Sequence, residues 1–448
     1  MTDRREFLKL LASAAGGAAL GAVSAESYDQ LYEIQPLNQE ISELEKQKAS
    51  LASKLTQSED QTQRLESRLS ELRQQRSELL DAPEPVPVEA SAQVAAFYVF
   101  GWGNDSMNRG DWRVGTPLHP LLGRYHSNDP WVADWHIKWA LEHGIGTFFP
   151  LTFLEFTDSG QSGIHGFEEG MLHSRFFDQV KIALYLFWEP HWPGNPRGVA
   201  DLETFYLLAQ KTVHNLGNRH FARRNILKHE NRPMLFLWSL SGFRYRYGDD
   251  AVRQLIDAIR EGARSSGFEV YIIGDIMGTW HGEEFYEVVT EQVDAITAWN
   301  ILDAGSAWPS TPYTTELVYG YDEYVKGYQR ETRFWSGYAK KRGKGFVPPL
   351  SPGFSNRILY DKGIDNWLVE LKDSSPEIFR KMCGNAKEFL DPDLNMVLIE
   401  AWNEIHESTA LEPTMESGFG YLHALRDAFA VKPSIGWPGD VIPGQLYP

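Results

Sequence analysis

The first pattern along the chain is a seven-residue repeat of apolar positions, with a second seam four residues after the first. The first seam is Leu37, Leu44, Leu51, Ser58, Leu65, Leu72 and Leu79, and the second is Ile41, Lys48, Leu55, Thr62, Leu69 and Arg76. This 4–3 alternation predicts an N-terminal α-helical coiled coil over residues 36–81, about 65 Å long at about 1.5 Å per residue. We expect a homo-oligomerising or spacing stalk formed by residues 37–80. A lone solvated helix is the alternative, although it would leave the leucines in water.

A proline-rich stretch, Asp81-Ala-Pro-Glu-Pro-Val-Pro-Val88, ends the helical pattern. Such a composition predicts a stiff extended linker, which we assign to residues 82–92. All 15 tryptophans lie beyond it, beginning at Trp102. This change in composition predicts a second domain over residues 93–448.

Eight apolar, strand-like runs alternate with amphipathic, helix-like segments in this second domain. The predicted strands are Val94–Phe100, Gly146–Phe153, Ile182–Trp188, Pro233–Trp238, Glu269–Gly274, Val293–Trp299, Gly345–Leu350 and Met396–Trp402. Eight strand-then-helix units predict an α/β fold of the (β/α)8 TIM-barrel type. A doubly wound open sheet is the alternative, but no glycine-rich phosphate loop follows any of the strands.

The functional residues of such barrels lie at the carboxyl ends of the strands. The residues found there are Trp102 and Asn104, Glu155, Glu189, Ser239 and Ser241, Asp275, Asn300, and Asn403 with Glu404. They predict a polar pocket at this end of the barrel.

The most informative motif follows the last predicted strand, where Asn403, Glu404, His406 and Glu407 come directly after an apolar run. Two carboxylates three residues apart, just past a buried strand, can converge on one pocket. Paired carboxylates are the groups that hydrolyse glycosidic bonds, one handling the proton of the leaving oxygen. A pair of solvated loop glutamates is the alternative. Glu400 shares a barrel face with Glu404, and we interpret it as a partner of the pair.

The N-terminus carries a targeting pattern. Asp3-Arg-Arg-Glu-Phe-Leu-Lys9 is a twin-arginine sequence, followed by a mildly apolar stretch over residues 10–22 and the small residues Val23-Ser-Ala25. We expect residues 1–25 to be a signal peptide that exports the folded protein to the periplasm, the cell surface or the medium. An uncleaved signal would tether the protein to the membrane.

Composition excludes several other classes of function. The net charge of −18 argues against a nucleic-acid partner. Cys383 is the only cysteine, so no intramolecular disulfide can form. The histidines lack the spacing of a zinc helix site, and no Gly-x-Ser-x-Gly elbow is present. We therefore expect no metal, no cofactor and no serine-hydrolase chemistry.

Three stretches of the second domain resemble glycoside hydrolase family 99, the endo-α-mannosidase and endo-α-mannanase family. They are Phe97-Tyr-Val-Phe-Gly-Trp-Gly-Asn104 with the following His119 to Asp129, Leu186-Phe-Trp-Glu-Pro-His191, and Asn403-Glu-Ile-His-Glu407 with Leu411-Glu-Pro413. The resemblance spans most of residues 94–428, and its most specific part is the Asn-Glu-x-His-Glu motif. Ile405 stands where the family has tryptophan, and Phe100-Gly-Trp102 stands where it has Pro-Trp-Tyr.

The resemblance implies a retaining mechanism and a set of site residues. Glu404 would act as base toward the sugar 2-hydroxyl, and Glu407 as acid on the leaving oxygen and then as base for water. Glu189 would hold the reacting ring. Such an acid needs a pKa raised by burial and by the neighbouring carboxylate. The expected substrate-binding residues are Glu189, Trp102, His119, Tyr125, Trp188, His191, Asn300, Asn403 and His406.

The function that follows is an exported retaining glycoside hydrolase, expected to be endo-acting on α-linked, mannose-containing oligo- or polysaccharides. Tryptophans near strand ends support a carbohydrate ligand because aromatic faces stack on sugar rings. Two alternatives stay open: a non-catalytic glycan-binding or envelope scaffold protein, and a glycosyltransferase-like enzyme of polysaccharide metabolism. Export argues against the transferase because sugar-nucleotide donors are cytoplasmic.

Overall fold

The computed structural model describes residues 36–48, 59–103, 112–153, 163–187, 201–276, 282–301, 316–431, 436–437 and 439–443. The helices are α1 (36–48), α2 (Glu59–Leu80), α3 (Pro130–Glu142), α4 (Gly163–Glu169), α5 (Leu202–Leu216), α6 (Leu240–Tyr247), α7 (Asp249–Ser265), α8 (Glu283–Gln292), α9 (Tyr321–Lys341), α10 (Arg357–Asp361), α11 (Pro376–Lys387) and α12 (Gly420–Phe429). The strands are β1 (Gln93–Tyr98), β2 (Ile145–Phe153), β3 (Lys181–Ile182), β4 (Leu184–Phe187), β5 (Lys228–His229), β6 (Arg232–Leu237), β7 (Tyr271–Asp275), β8 (Ala295–Thr297), β9 (Glu316–Gly320), β10 (Gly345–Phe346), β11 (Pro349–Leu350), β12 (Leu368–Lys372), β13 (Met396–Ile399), β14 (Asn403–Glu404) and β15 (Thr409–Ala410).

The main sheet runs in the order β10-β8-β7-β6-β4-β2-β1-β13-β11, and the pairs along it are parallel. Its two ends, β10 and β11, belong to one chain segment, 345–350. That segment pairs with β8 at its start and with β13 at its end, so it closes the sheet into a ring. All eight predicted strands take part, which confirms the barrel.

Alternation along the strands separates two apolar layers. On β1, Ala95 and Phe97 point into the barrel, while Val94, Ala96 and Tyr98 pack against the surrounding helices. The same alternation holds on the other long strands, as expected when successive side chains face opposite sides of a sheet. The interior is therefore filled by side chains, and its uppermost layer forms the floor of the mouth.

The predicted coiled coil has a different shape in the described residues. Helices α1 and α2 lie side by side and antiparallel within one chain, with ion pairs from Lys48 to Glu66 and from Arg73 to Glu45. Ile41, Leu69 and Leu72 are buried between the two helices. In the described residues, the seam positions of α1 and α2 thus cover each other inside the chain, and we call these two helices the helical hairpin. Homo-oligomerisation through residues 37–80 stays a prediction.

The hairpin docks on the barrel. The Arg76 guanidinium forms a buried ion pair with Asp129, the N-cap of α3, and lies 4.6 Å from the centre of the Trp131 ring. The extended segment after α2 also packs against the barrel, where Val88 N–H donates to the Leu141 carbonyl at 2.9 Å and residue 90 bridges to residue 430. The predicted signal, residues 1–25, lies outside the described residues. No helix in the described part of the chain combines the length and apolarity needed to cross a bilayer.

Candidate active site

The two glutamates of the sequence motif lie on a short turn at the mouth of the barrel. Glu404 is half-buried on β14, which pairs antiparallel with β15, and Glu407 lies in the turn between them at 7% exposure. Ser355 N–H donates to the Glu407 carbonyl oxygen at 2.7 Å. The hairpin and this backbone bond hold the two carboxylates on one structural unit.

Four carboxylates converge on Tyr185, which points into the barrel from β4. Burial raises the pKa of Tyr185 well above its usual value, and the charges of Asp275, Glu400, Glu407 and Glu404 add to the shift. These groups come from β4, from β7 and from the end of β13 with the turn that follows it. The mouth is therefore a strongly acidic pocket assembled from chain segments that are far apart in sequence.

Asp275, the last residue of β7, connects the ends of two neighbouring strands. Its carboxylate accepts hydrogen bonds from Ser239 N–H at 2.8 Å and from Trp299 N–H at 3.0 Å. Burial raises its pKa to about 7, despite these two bonds, which favour the ionised form. Asp275 therefore changes charge near neutral pH while holding two strand ends together.

Glu400 lies inside the barrel at 0% exposure, directly after β13. Burial raises the pKa of this carboxyl well above its usual value, and the charges of Glu407 and Glu404 raise it further, against a lowering by Asn300. Burial and the neighbouring carboxylates therefore both favour the protonated form of Glu400. The position matches the predicted partner of the pair.

Aromatic residues form part of the same floor. Trp238 and Trp299 are half-buried, as is Phe187, whose ring centre is 4.4 Å from that of Trp238. The ring centre of Trp299 lies 4.5 Å from that of Phe97, which belongs to the interior layer. Trp238 and Trp299 are not among the substrate-binding residues predicted from the sequence, although each ends a predicted strand. Continuing the two-residue alternation of the strands would have placed both inside the mouth.

Asn403 and Trp102, predicted to bind substrate, are engaged with the protein. The Asn403 side chain accepts from Val99 N–H at 2.8 Å and donates to the Val99 carbonyl at 3.0 Å. The Trp102 indole N–H donates to the Asn403 carbonyl at 2.9 Å, and both residues are at or below 1% exposure. These contacts fix the backbone immediately before Glu404, and substrate binding by the two residues stays a prediction.

Tyr125 is also buried, in a hydrogen-bonded chain below that turn. Its hydroxyl donates to Glu412 Oε1 at 2.7 Å and accepts from the Asn403 amide at 3.3 Å. Glu412 Oε2 lies 3.0 Å from His136 Nε2, and His136 Nδ1 lies 2.8 Å from the Tyr98 hydroxyl. The hydrogen bond from the Asn403 amide to the Tyr125 hydroxyl therefore helps to hold the Asn403 side chain in place.

The other predicted substrate-binding residues that the structure describes differ in exposure. His406 is buried and packs against Trp102, with the two rings tilted and their centres 4.5 Å apart. Asn300 is half-buried and accepts from the Tyr324 hydroxyl at 2.8 Å. His119 is exposed, and its hydrogen bond to Glu416 raises its pKa. Of these three residues, Asn300 lies near the carboxylate cluster, since it lowers the pKa of Glu400.

Several predicted residues lie outside the described part of the chain. They are Asn104, Glu155, Trp188, Glu189 and His191. Their roles stay predictions.

Comparison with known proteins supports the fold. Residues 218–426, less than half of the chain, match a domain family described as a domain of unknown function, DUF5010. No curated protein matches the chain. A solved structure named a glycoside hydrolase-like protein is similar over 79% of this chain and 98% of its own, with 20% identity and a TM-score of 0.55. An endo-α-mannosidase of family 99 from Bacteroides thetaiotaomicron is similar over 75% of this chain and 95% of its own, with 15% identity and a TM-score of 0.49. At these identities the likeness concerns the fold alone, and the first of these structures supports the barrel.

Proposed function

We propose that this chain is a retaining glycoside hydrolase that cleaves α-linked, mannose-containing glycans at the mouth of its barrel. The observation that carries the proposal is the convergence of Glu404, Glu407, Glu400 and Asp275 around Tyr185. A protein that only binds glycans does not need several carboxylates at different degrees of burial, whereas acid–base cleavage of an acetal does.

The two motif glutamates differ in burial, and we assign their catalytic roles from this difference. Glu404 is half-buried and can stay ionised toward solvent, so it serves as the base. Glu407 is 7% exposed and lies near Tyr185 together with three other carboxyl groups. Burial and nearby negative charge both favour the protonated form of a carboxyl group, so we assign Glu407 as the acid. That division matches the roles implied by the Asn-Glu-x-His-Glu motif.

In the first step, Glu404 removes the proton of the sugar 2-hydroxyl, and that oxygen attacks the anomeric carbon. The bond from the anomeric carbon to the leaving oxygen breaks, and Glu407 transfers its proton to that oxygen. In the second step, Glu407, now a carboxylate, takes a proton from water, whose oxygen attacks the anomeric carbon. The three-membered ring opens, the 2-oxygen recovers its proton from Glu404, and two inversions give net retention.

The floor of the mouth suits a sugar. Trp238 and Trp299 are half-exposed aromatic rings beside the acidic groups, and such rings stack on the C–H faces of pyranosides. Mannose as the sugar, endo action and export by the twin-arginine pathway rest on the sequence motifs. Glu189 at the reacting ring belongs to the same set of proposals.

The test is turnover of α-linked oligosaccharides, mannose- and glucose-terminated, by the full chain and by Glu407→Gln. Glu388→Gln, an exposed glutamate at the end of α11, is the matched control. We expect release of sugar by wild type and by the control, with the α-anomer formed first in proton NMR, and a loss of about 10²–10⁴-fold in Glu407→Gln. Binding of a glycan without release by wild type would instead identify a glycan-binding protein, and release of the β-anomer would exclude retention.

A further inference from the structure

A second cluster of chemically active side chains lies away from the carboxylate pocket. His143 follows α3, His423 lies on α12, and Asp440 lies on the segment after α12. Their ligand atoms all lie within 4.8 Å of one another. His143 Nε2 is 3.2 Å from Asp440 Oδ1, and His423 Nε2 is 2.7 Å from Asp440 Oδ2. Two imidazoles thus face one carboxylate.

The ring of His143 is oriented by the backbone. Its Nδ1 lies 2.7 Å from the carbonyl oxygen of Trp139, which can only accept, so Nδ1 carries the proton. In the neutral ring, Nε2 then presents a lone pair to Asp440 Oδ1. His143 is 1% exposed, and within the described structure neither of these two atoms has a hydrogen-bond partner. A lone pair facing a buried carboxylate oxygen is unfavourable unless a positive charge lies between them.

A divalent metal ion supplies that charge, and the separation of His143 from Asp440 fits one, whereas His423 Nε2 and Asp440 Oδ2, 2.7 Å apart, would move apart to admit it. Ligand atoms about 2.0–2.1 Å from a tetrahedral Zn²⁺ lie about 3.3 Å apart, close to the 3.2 Å between His143 Nε2 and Asp440 Oδ1. A histidine ligand usually donates its other N–H to a carbonyl or carboxylate, as His143 does to Trp139. We propose that His143, His423 and Asp440 form a binding site for a divalent transition metal such as Zn²⁺, with a fourth position open to water.

The position in the barrel indicates what the metal does. His143 follows α3 and immediately precedes β2, so the cluster lies at the amino ends of the strands, opposite Glu404 and Glu407. That end of a TIM barrel serves stability, not catalysis. The segment around Asp440 is also held by Val441, whose carbonyl accepts from the Trp139 indole at 2.7 Å. A bound ion would cross-link this segment to α3 and α12.

The test uses the purified full chain, stripped with a chelator and then titrated with ZnCl₂. We expect one Zn²⁺ per chain by elemental analysis and calorimetry, together with a rise in the midpoint of thermal unfolding. Co²⁺ should give the absorption of a site with nitrogen and oxygen ligands. Asp440→Asn and His423→Ala remove ligands near the surface, so they spare the buried His143. Each should weaken binding at least about 100-fold, more than the loss of an outer-shell partner costs. His173→Ala, an exposed histidine elsewhere, should change nothing.

The possible results distinguish a metal site from an ion-pair cluster. Stoichiometric binding that is lost in both ligand variants, while their midpoints without metal stay near that of the stripped wild type, supports the site. Absence of Zn²⁺ and Co²⁺ binding by wild type overturns it, and the three side chains are then an ion-pair cluster. Equal affinity in Asp440→Asn and wild type also overturns it.

Discussion

The indole N–H of Trp102 donates to the carbonyl oxygen of Asn403 across 301 positions of sequence, at 2.9 Å. The bond fastens the loop after β1 to the residue that precedes Glu404. Since Asn403 also holds both backbone groups of Val99, the position of the glutamate turn is set by the first strand of the barrel. The buried Trp102 side chain can therefore control where Glu404 lies.

Trp102→Phe tests this. The variant keeps the ring but loses the hydrogen bond, so we expect a loss of about 1 kcal/mol in unfolding free energy and a clear fall in kcat with little change in KM. Trp139→Phe is the matched control, because it loses an equally buried indole bond, to Val441, at the other end of the barrel. Urea unfolding and steady-state kinetics report both effects. Equal kcat values in the two variants would show that the Trp102 bond does not position the turn.

Glu404→Gln and Glu407→Gln should respond differently to the leaving group. Glu404 acts on the sugar itself, so its loss should lower turnover about 10²–10⁴-fold on natural and aryl glycosides alike. Glu407 protonates the leaving oxygen, so with a good aryl leaving group the first step should largely recover in Glu407→Gln. Burst kinetics with aryl glycosides measure this. The reverse pattern would exchange the two roles.

Burial and two neighbouring carboxylates raise the pKa of Glu400 and favour its neutral form, so glutamine should replace it well. We expect Glu400→Gln to keep kcat within about threefold of wild type at neutral pH and to unfold at a similar urea concentration. Glu400→Ala should be clearly less stable, because it leaves a cavity in the interior layer, at a cost of about 2–5 kcal/mol. Urea unfolding and kinetics on the same three proteins provide the comparison. A collapse of activity in Glu400→Gln equal to that in Glu404→Gln would show that Glu400 acts as a charged group.

Asp275 should make stability depend on pH. Its pKa is about 7 in the folded protein, raised by burial, against about 3.9 in an unfolded chain. Between these values the folded state binds more protons, so the free energy of unfolding falls as pH rises, by up to about 4 kcal/mol across the window. Asp275→Asn should flatten this slope, whereas the exposed Asp178→Asn should not. Urea unfolding between about pH 4 and pH 8 measures the slope, and an unchanged slope in Asp275→Asn would refute the assignment.

Arg76 should hold the helical hairpin on the barrel. Removing the Arg76 side chain leaves the nearly buried Asp129 carboxylate without its ion-pair partner. Such a change lowers the free energy of unfolding by about 3–5 kcal/mol. Arg76→Ala should therefore unfold at a lower temperature and expose residues 59–80 to limited proteolysis. Arg68→Ala, which removes exposed ion pairs in the same hairpin, should cost less than about 1 kcal/mol. Equal effects of the two substitutions would show that the docking is weak.

The sequence predicted the barrel and its eight strands because alternation and strand–helix order are local properties. It also located Glu404 and Glu407, since a carboxylate motif after a buried strand can be seen in one stretch of chain. It did not predict the hydrogen bonds of Trp102 and Asn403 within the protein, because their partners lie about 300 positions away, where no local pattern reports them. The reversal of the heptad region into a hairpin was hidden for a similar reason: a seam of leucines fits a partner helix from the same chain as well as one from another.

The bridge between residues 90 and 430 brings the chain's entry into the barrel beside the exit from α12. Both lie at the end opposite the mouth, where β1 begins. The helices before the barrel lie elsewhere, because Arg76 meets Asp129 at the start of α3, toward the mouth. Residues 81–90 therefore run down the wall of the barrel beside α3, and a change in how α1 and α2 dock would alter the surroundings of the mouth and leave the rear unchanged.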